Sequence, residues 1–523
     1  MRLLAEARRQ WRALNLAVSG GLLLCFLAAP ALASDWPQLQ RDAARTGRTP
    51  DTVAPPYRAR WIWMGPTLTL RNQNSVAGWP DDINSSDGSG APRVGYSFPM
   101  PSNVNFTIAE SVQPVLAGGR LFIGTLEGNA YAIDAADGST LWTLSIPGGT
   151  WASAAVSESG ARVIFVTLSG QVIGALAANG GSPWTYPAAR SITGAPCVNG
   201  TEVYVADHGG TVYALDADTG TEQWTTTLPA PVLGGVASDA TSVYVGAENM
   251  VVYALNRSDG AVRAQHPVRG QSFRMLWPVV FNNRVWASTC ATPLIGSEYV
   301  MEQLMADSAS LAEEETNIAL WLQGLGGWTD AGEDWKHVYA LDTSDLSEPF
   351  TILAGPADGC GIPTAPVVVD NSDRVLTYFK TRYPKLTANN PIFGTNYSVD
   401  IAAINQANGH RVPIDNGHVA GLWPFETDNL FGLSVAGTTL WLRQNFRGTQ
   451  TINLTNSAGH SVQAQVRFWD GGDFRYFDIV YLDQPPPVGT SQTQINGRVA
   501  PIVVAPRAYI AETYGVVAIE HRP

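Results

Sequence analysis

The side chains with chemical potential in this 523-residue sequence are few and scattered. Glu110, Arg190, Arg274, Trp277, Trp423 and Glu426, together with Trp151, lie in or beside short apolar segments. They form a site only where several such segments converge. Brought to one cavity, Arg190 and Arg274 would hold a carboxylate through paired hydrogen bonds, and Trp277 and Trp423 would supply flat walls. The residues equally suit a plug in which they pair with one another. The stretch Asp81 to Gly88 is rich in oxygen but lacks the alternating spacing and closing glutamate of a calcium loop, so no residue set is assigned to a metal. The seven histidines show no paired helical spacing, and no Gly-x-Ser-x-Gly elbow occurs, so a hydrolase is not supported.

Composition narrows the partners. With 45% hydrophobic and 15% charged residues, the chain can bury a large core. It has three lysines (Lys336, Lys380 and Lys385) and a net charge of −13, which leaves no basic stripe for a nucleic-acid backbone. Arg2, Arg8, Arg9 and Arg12 precede an apolar run ending at Ala31-Leu32-Ala33, the pattern of a secretory leader over residues 1–33. Cleavage there would bring the net charge to −16 and place the mature chain in a periplasmic or extracellular setting. An uncleaved anchor is the other reading of the same run, and no later stretch is long enough to span a bilayer.

The elements that position these residues repeat. Tyr131-Ala132-Ile133-Asp134 returns as Tyr213-Ala214-Leu215-Asp216, Tyr253-Ala254-Leu255-Asn256 and Tyr339-Ala340-Leu341-Asp342. Looser copies begin at Gly174, Ala402, Val480 and Val517. The first four starts, 131, 174, 213 and 253, lie 43, 39 and 40 residues apart. After the phrase come a turn glycine and a tryptophan: Gly138 and Trp142, Gly180 and Trp184, Gly220 and Trp224. Before it come a β-branched strand and a polar hairpin turn, and before those an apolar segment. Four strands in about forty residues is the size of a propeller blade. The tryptophans are expected to fill the gap between neighbouring sheets, and Asp134 and Asp216 to cap turns by accepting local amide hydrogens.

The expectation is therefore an all-β, eight-bladed propeller spanning residues 34–523, with seven blades as the alternative. The last copy ends without a tryptophan strand, and the segment Arg58 to Trp63 has the composition to supply it and close the ring. The later spacings of 86, 63 and 78 residues exceed the period and mark insertions. The first, at 291–335, carries Met301, Leu304, Met305, Leu311, Ile318, Trp321 and Leu322 at helical spacing. Cys290 and Cys360 flank this region on adjacent units and are candidates for a disulfide, and Cys197 reads as a buried thiol.

Residues 213–224, together with Asp35-Trp36-Pro37-Gln38 and Arg41 to Gly47, resemble the repeat and opening of pyrroloquinoline-quinone-type (PQQ-type) propellers. The resemblance implies an eight-bladed quinoprotein-like ring. It also implies two functional readings. One is a non-catalytic binding or scaffold platform like the BamB-type assembly proteins, without a cofactor and with a protein or cell-envelope partner. The other is a PQQ-dependent oxidoreductase with calcium. The adjacent cysteine pair of quinoprotein alcohol dehydrogenases is absent from this sequence. An extracellular polymer-binding protein is a third reading.

Overall fold

In the computed structural model the chain divides into Met1–Ser34 and Asp35–Pro523. The described residues are 35–55, 57–67, 69–71, 97–99, 107–290, 308–323, 336–353, 366–382, 397–412, 414, 430–444, 448–456, 459–462, 465–470, 473–478, 499–513 and 515–521. The segment 35–523 forms a ring of eight β-sheet blades. Blade 3 displays the plan: strands Cys197–Asn199, Glu202–Ala206, Thr211–Asp216 and Glu222–Thr227, paired antiparallel in sequence order from the axis outward. Its middle strands are near-continuous apolar runs because both faces pack on neighbouring blades. The outer strand alternates, burying Trp224 while Gln223 and Thr225 face solvent.

Closure joins the two ends of this segment. Tyr57–Trp63 pairs antiparallel with Gly515–His521, so the eighth blade is completed by an N-terminal strand and leaves no seam. The seventh blade corrects one sequence expectation. Its strands are Leu430–Ala436, Thr439–Gln444, Gly448–Asn453 and Gly459–Val462. The repeat phrase therefore falls at Gln450-Thr451-Ile452-Asn453 rather than at 480–483, which lie outside the described residues. Asn453 accepts the Thr455 amide at 2.9 Å, as Asp134 accepts that of Ala136 at 2.7 Å and Asp216 that of Thr219 at 2.8 Å. Blade 2 is also shifted by one residue from the expected copy at Gly174: Gly174 pairs with Trp184 as Ala132 does with Trp142, so the copy begins at Ile173 and places Leu176 where the other blades carry a polar residue.

The blade-linking tryptophans share one arrangement. Trp61, Trp142, Trp184 and Trp224 each lie against the turn glycine of the next blade, respectively Gly138, Gly180, Gly220 and Gly260. Three of them donate Nε1 to the carbonyl three residues before that glycine: Trp61 to Ala135 (3.3 Å), Trp142 to Ala177 (3.1 Å) and Trp224 to Arg257 (2.7 Å). Trp184 differs because its own blade carries Gly174 where the others have alanine. The ring drops onto that glycine, and its Nε1 finds no partner. Gly220 has φ +75°, and a Cβ there would lie 2.4 Å from Trp184 Cε3, so backbone conformation and ring contact both require glycine.

Four long connections leave the described strands on one face. The turns joining first to second and third to fourth strands are short in all the blades where they are described. Between second and third strands, blade 5 carries 289–337 and blade 6 carries 383–396. Between blades, the connections after Val412 and Val462 leave the strands at the same end, and Ser97–Pro99, Gln465–Asp470 and Asp473–Asp478 form a separate three-stranded sheet; after blade 8 the chain leaves Arg71 on a short outermost strand that runs back toward the opposite end. Within 289–337, Leu311–Leu322 is helical, with Ile318 and Trp321 buried; Met301, Leu304 and Met305 lie outside the described residues. Ser310 Oγ accepts the Glu313 amide and Glu313 Oε2 accepts that of Ala309, a reciprocal cap that fixes the helix start. Among the described residues no helix is long and apolar enough to cross a membrane.

Candidate functional site

On the decorated face, the blade-to-blade connections of blades 1 to 5 bring several of the candidate side chains together. Arg274 stacks its guanidinium over Trp151, 5.5 Å from the ring centroid. Beside it, Thr193 Oγ1 and His208 Nε2 are 2.8 Å apart, and the same hydroxyl donates to the Leu233 carbonyl at 3.1 Å. Burial and the nearby positive charge of Arg274 hold the His208 imidazole below its ordinary value, against the opposing pull of Asp207. Glu248 Oε1 accepts the Phe273 amide at 2.9 Å and so fixes the loop that presents Arg274.

Arg190 sits against the turn of blade 3. Its side chain is exposed and packs beside Gly209, while its amide donates to the buried carboxylate of Asp207. That carboxylate also accepts from the amides of Gly209 and Thr211 and the hydroxyl of Tyr213, which makes it a structural brace. Glu110 is half-buried next to Ser111, whose hydroxyl donates to the Trp151 carbonyl. Trp423 and Glu426 lie outside the described residues, as does Cys360, the expected partner of Cys290. Cys290 itself is placed by backbone bonds to Ser272 and Gln271. Cys197 is buried, its Sγ 3.5 Å from the Ala43 carbonyl.

Nearer the axis, a set of residues two positions before the inner strand reads Gln113, Ser153, Ala195, Gly235, Trp277 and Ala500 in blades 1 to 5 and 8. All are buried. Five are short or engaged with their neighbours: the Gln113 amide donates to Ser153 Oγ at 2.8 Å and its Nε2 to the Ala500 carbonyl at 2.8 Å. Trp277, 8% exposed, shares one apolar cluster with Leu39, Ala152, Ala195, Val367 and Val499, and occupies the room that the small residues leave. It is a filler of the axis rather than the wall of an open channel.

The other end of the axis is closed by residues 35–51, a feature that the sequence reading did not anticipate. The segment travels once around the inside of the ring. Trp36 pairs with Leu116 of blade 1, and the Pro37 carbonyl accepts from Val156 of blade 2. Gln38 exchanges two hydrogen bonds with Val198 of blade 3. The carbonyls of Ala43, Ala44, Thr46 and Gly47 accept from Ser238, Val280, Val369 and Val435 of blades 4 to 7, and Asp51 Oδ2 accepts from Ala505 of blade 8. Only Trp-Pro-Gln and Arg-Thr-Gly in the opening motif could have signalled it.

Among the described residues no group of three or more His, Cys, Asp or Glu side chains could hold a metal ion.

The fold and this face define an eight-bladed propeller of quinoprotein type. The chain carries a PQQ-like β-propeller repeat: a family model described as outer membrane protein assembly factor BamB matches residues 100–158 and 128–292. Among solved structures, quinohemoprotein alcohol dehydrogenase from Comamonas testosteroni is similar at 12% identity and a TM-score of 0.52, covering 94% of this chain and 81% of that one. BamB from Moraxella catarrhalis aligns at 14% identity and a TM-score of 0.48, covering 80% of this chain and 98% of that one. No curated protein matches the sequence.

Proposed function

We propose that the protein is a secreted or periplasmic, non-catalytic PQQ-like propeller that serves as a binding platform for a protein or other cell-envelope partner. The observation that carries this reading is that the long insertions of blades 5 and 6 and the connections after blades 6 and 7 all leave the described strands at one face. Connections free of the strand ladders are where a rigid scaffold carries recognition. The basic leader and apolar run support export, and the match of residues 100–292 to a model of an outer membrane assembly factor supports an envelope partner. On the described part of the face, Arg274, His208 and Glu248 are held by Trp151, Thr193 and the Phe273 amide, which suits a preformed recognition surface more than a reactive centre.

The oxidoreductase reading is tested by titrating the mature protein with pyrroloquinoline quinone, with and without calcium, following absorbance and melting temperature. The platform reading expects neither saturable binding nor a raised melting temperature. Saturable, calcium-dependent binding with a raised melting temperature would replace it with the dehydrogenase reading.

A further inference from the structure

We infer that the ring axis is a peptide-binding site, filled in this chain by its own residues 35–51, and that the same ring accepts that peptide in trans. The segment contributes no strand to the interior of a blade: its only ladder contact is Arg48–Thr49, which runs parallel to the edge of blade 7. Beyond it, hydrogen bonds from the segment reach the inner edges of all eight sheets, through its main chain in blades 1, 2 and 4 to 7 and through the side chains of Gln38 and Asp51 in blades 3 and 8. Extended-peptide recognition by open strand edges has this form, with main-chain bonds giving affinity and individual pockets giving selectivity. Here eight edges point at one axis, so the site is a closed collar rather than a groove.

Selectivity comes from Arg45. Its guanidinium is fully buried, and its acceptors are uncharged: the carbonyls of Leu39 (2.7 Å), Pro196 (2.8 Å), Val236 (3.0 Å) and Ala195 (3.4 Å), with Gln38 Oε1 at 3.4 Å. The carbonyls of Ala195, Pro196 and Val236 belong to the ring, from the connections entering blades 3 and 4, so the ring itself contains a pocket for a guanidinium. A lysine offers three donors at one point and would not reach this spread of acceptors. The ring also imposes the peptide's shape. Gln40, Arg41 and Arg45 have φ of +54°, +74° and +60°, conformations that a free peptide of these residues avoids. Gln113 adds a second reader: its Oε1 accepts from Trp36 Nε1 and the Gln40 amide while its Nε2 holds blade 8.

The linker after the segment makes the inference testable on the intact protein, because Thr52 and Ala54 are exposed. A specific protease site inserted after Ala54 is cut in the folded mature protein. The cut protein is then passed over a sizing column, and separately unfolded and refolded with excess fluorescent peptide of residues 35–54. The fragment is expected to co-elute with the ring, and the labelled peptide to be incorporated on refolding. Peptides carrying R45A or R45K should compete about 100-fold more weakly than the native sequence. R48A should compete within a few-fold, because Arg48 pairs with the exposed Asp373 at the rim and donates to one ring carbonyl, that of Asp370, where Arg45 has several. Loss of the fragment from the cut protein, collapse of the cut ring, refolding without incorporation, or equal competition by native and R45A peptides would each overturn the inference.

Discussion

Replacing Gly220 by alanine isolates what the tryptophan girdle contributes. Two terms act at this position. The first is the left-handed backbone, which costs a residue with a Cβ about 1 kcal/mol. The second is contact, since the new methyl would lie 2.4 Å from Trp184 Cε3 and 2.6 Å from Cδ2. The indole cannot retreat, because its other side already rests on Gly174, where a Cβ would come within 2.1 Å of Cε2. Forced overpacking of this kind adds about 1–3 kcal/mol. Gly160 is the internal control: its φ is +71°, and a Cβ there meets nothing within 4 Å. Gly160→Ala should therefore cost about 1 kcal/mol and Gly220→Ala about 3 kcal/mol. Urea unfolding followed by far-ultraviolet circular dichroism measures both without relying on tryptophan emission. In the double variant W184A/G220A the contact term vanishes, and a coupling of about 1–2 kcal/mol should appear. Equal losses for the two alanine variants, or additivity in the double variant, would refute the argument that the ring is pinned between two blades.

Trp61→Ala removes the docking contact that joins the closing strand of blade 8 to blade 1; a loss of about 3–5 kcal/mol in the same assay is expected, and less than 1 kcal/mol would mean that closure rests elsewhere. Arg443 and Glu512 form a buried ion pair at 2.7 Å between blades 7 and 8, so Glu512→Gln should cost about 3 kcal/mol, whereas a joint replacement by methionine and leucine should recover most of it in thermal unfolding. Burial raises the Asp239 carboxyl, but hydrogen bonds from Thr241, Ser242 and Tyr244 outweigh it and hold the group below its ordinary value. A depressed carboxyl stabilises the fold above the unfolded value of about 3.9 and loses that contribution as pH falls through the folded one, so the gap between Asp239→Asn and the native protein should be widest near neutrality and close below about pH 4.

The blades were legible because one phrase recurs at nearly constant spacing, and because Gly138, Gly180, Gly220 and Gly260 mark the same left-handed turn. Blade 7 was misplaced for a physical reason. Its third strand keeps Ile452 and the capping Asn453 but replaces the tyrosine by a glutamine, whereas Val480 to Asp483 carry the surface pattern of the phrase. The axial segment was hidden because its partners are backbone groups, which leave no mark on side-chain sequence; Arg45 looks like any surface arginine until its five acceptors are seen. Trp277 was recognisable as a flat apolar wall, but whether it lines or fills a space depends on the size of Ser153, Ala195 and Gly235 in other blades, and a linear reading does not set those positions side by side.

The central claim is that one face of this ring binds and the other does not. A photo-crosslinking amino acid placed singly at Glu127, Ser169, Gly209 and Asn249 samples the hairpin turns of blades 1 to 4 on the decorated face, and at Gly119, Ser159, Thr201 and Ala240 the turns of the same blades on the plain face; all eight positions are exposed. Irradiation in cells of the native host should give a discrete crosslinked species from the decorated set and none from the plain set. Equal yields from both sets, or crosslinks from the plain set alone, would contradict the account.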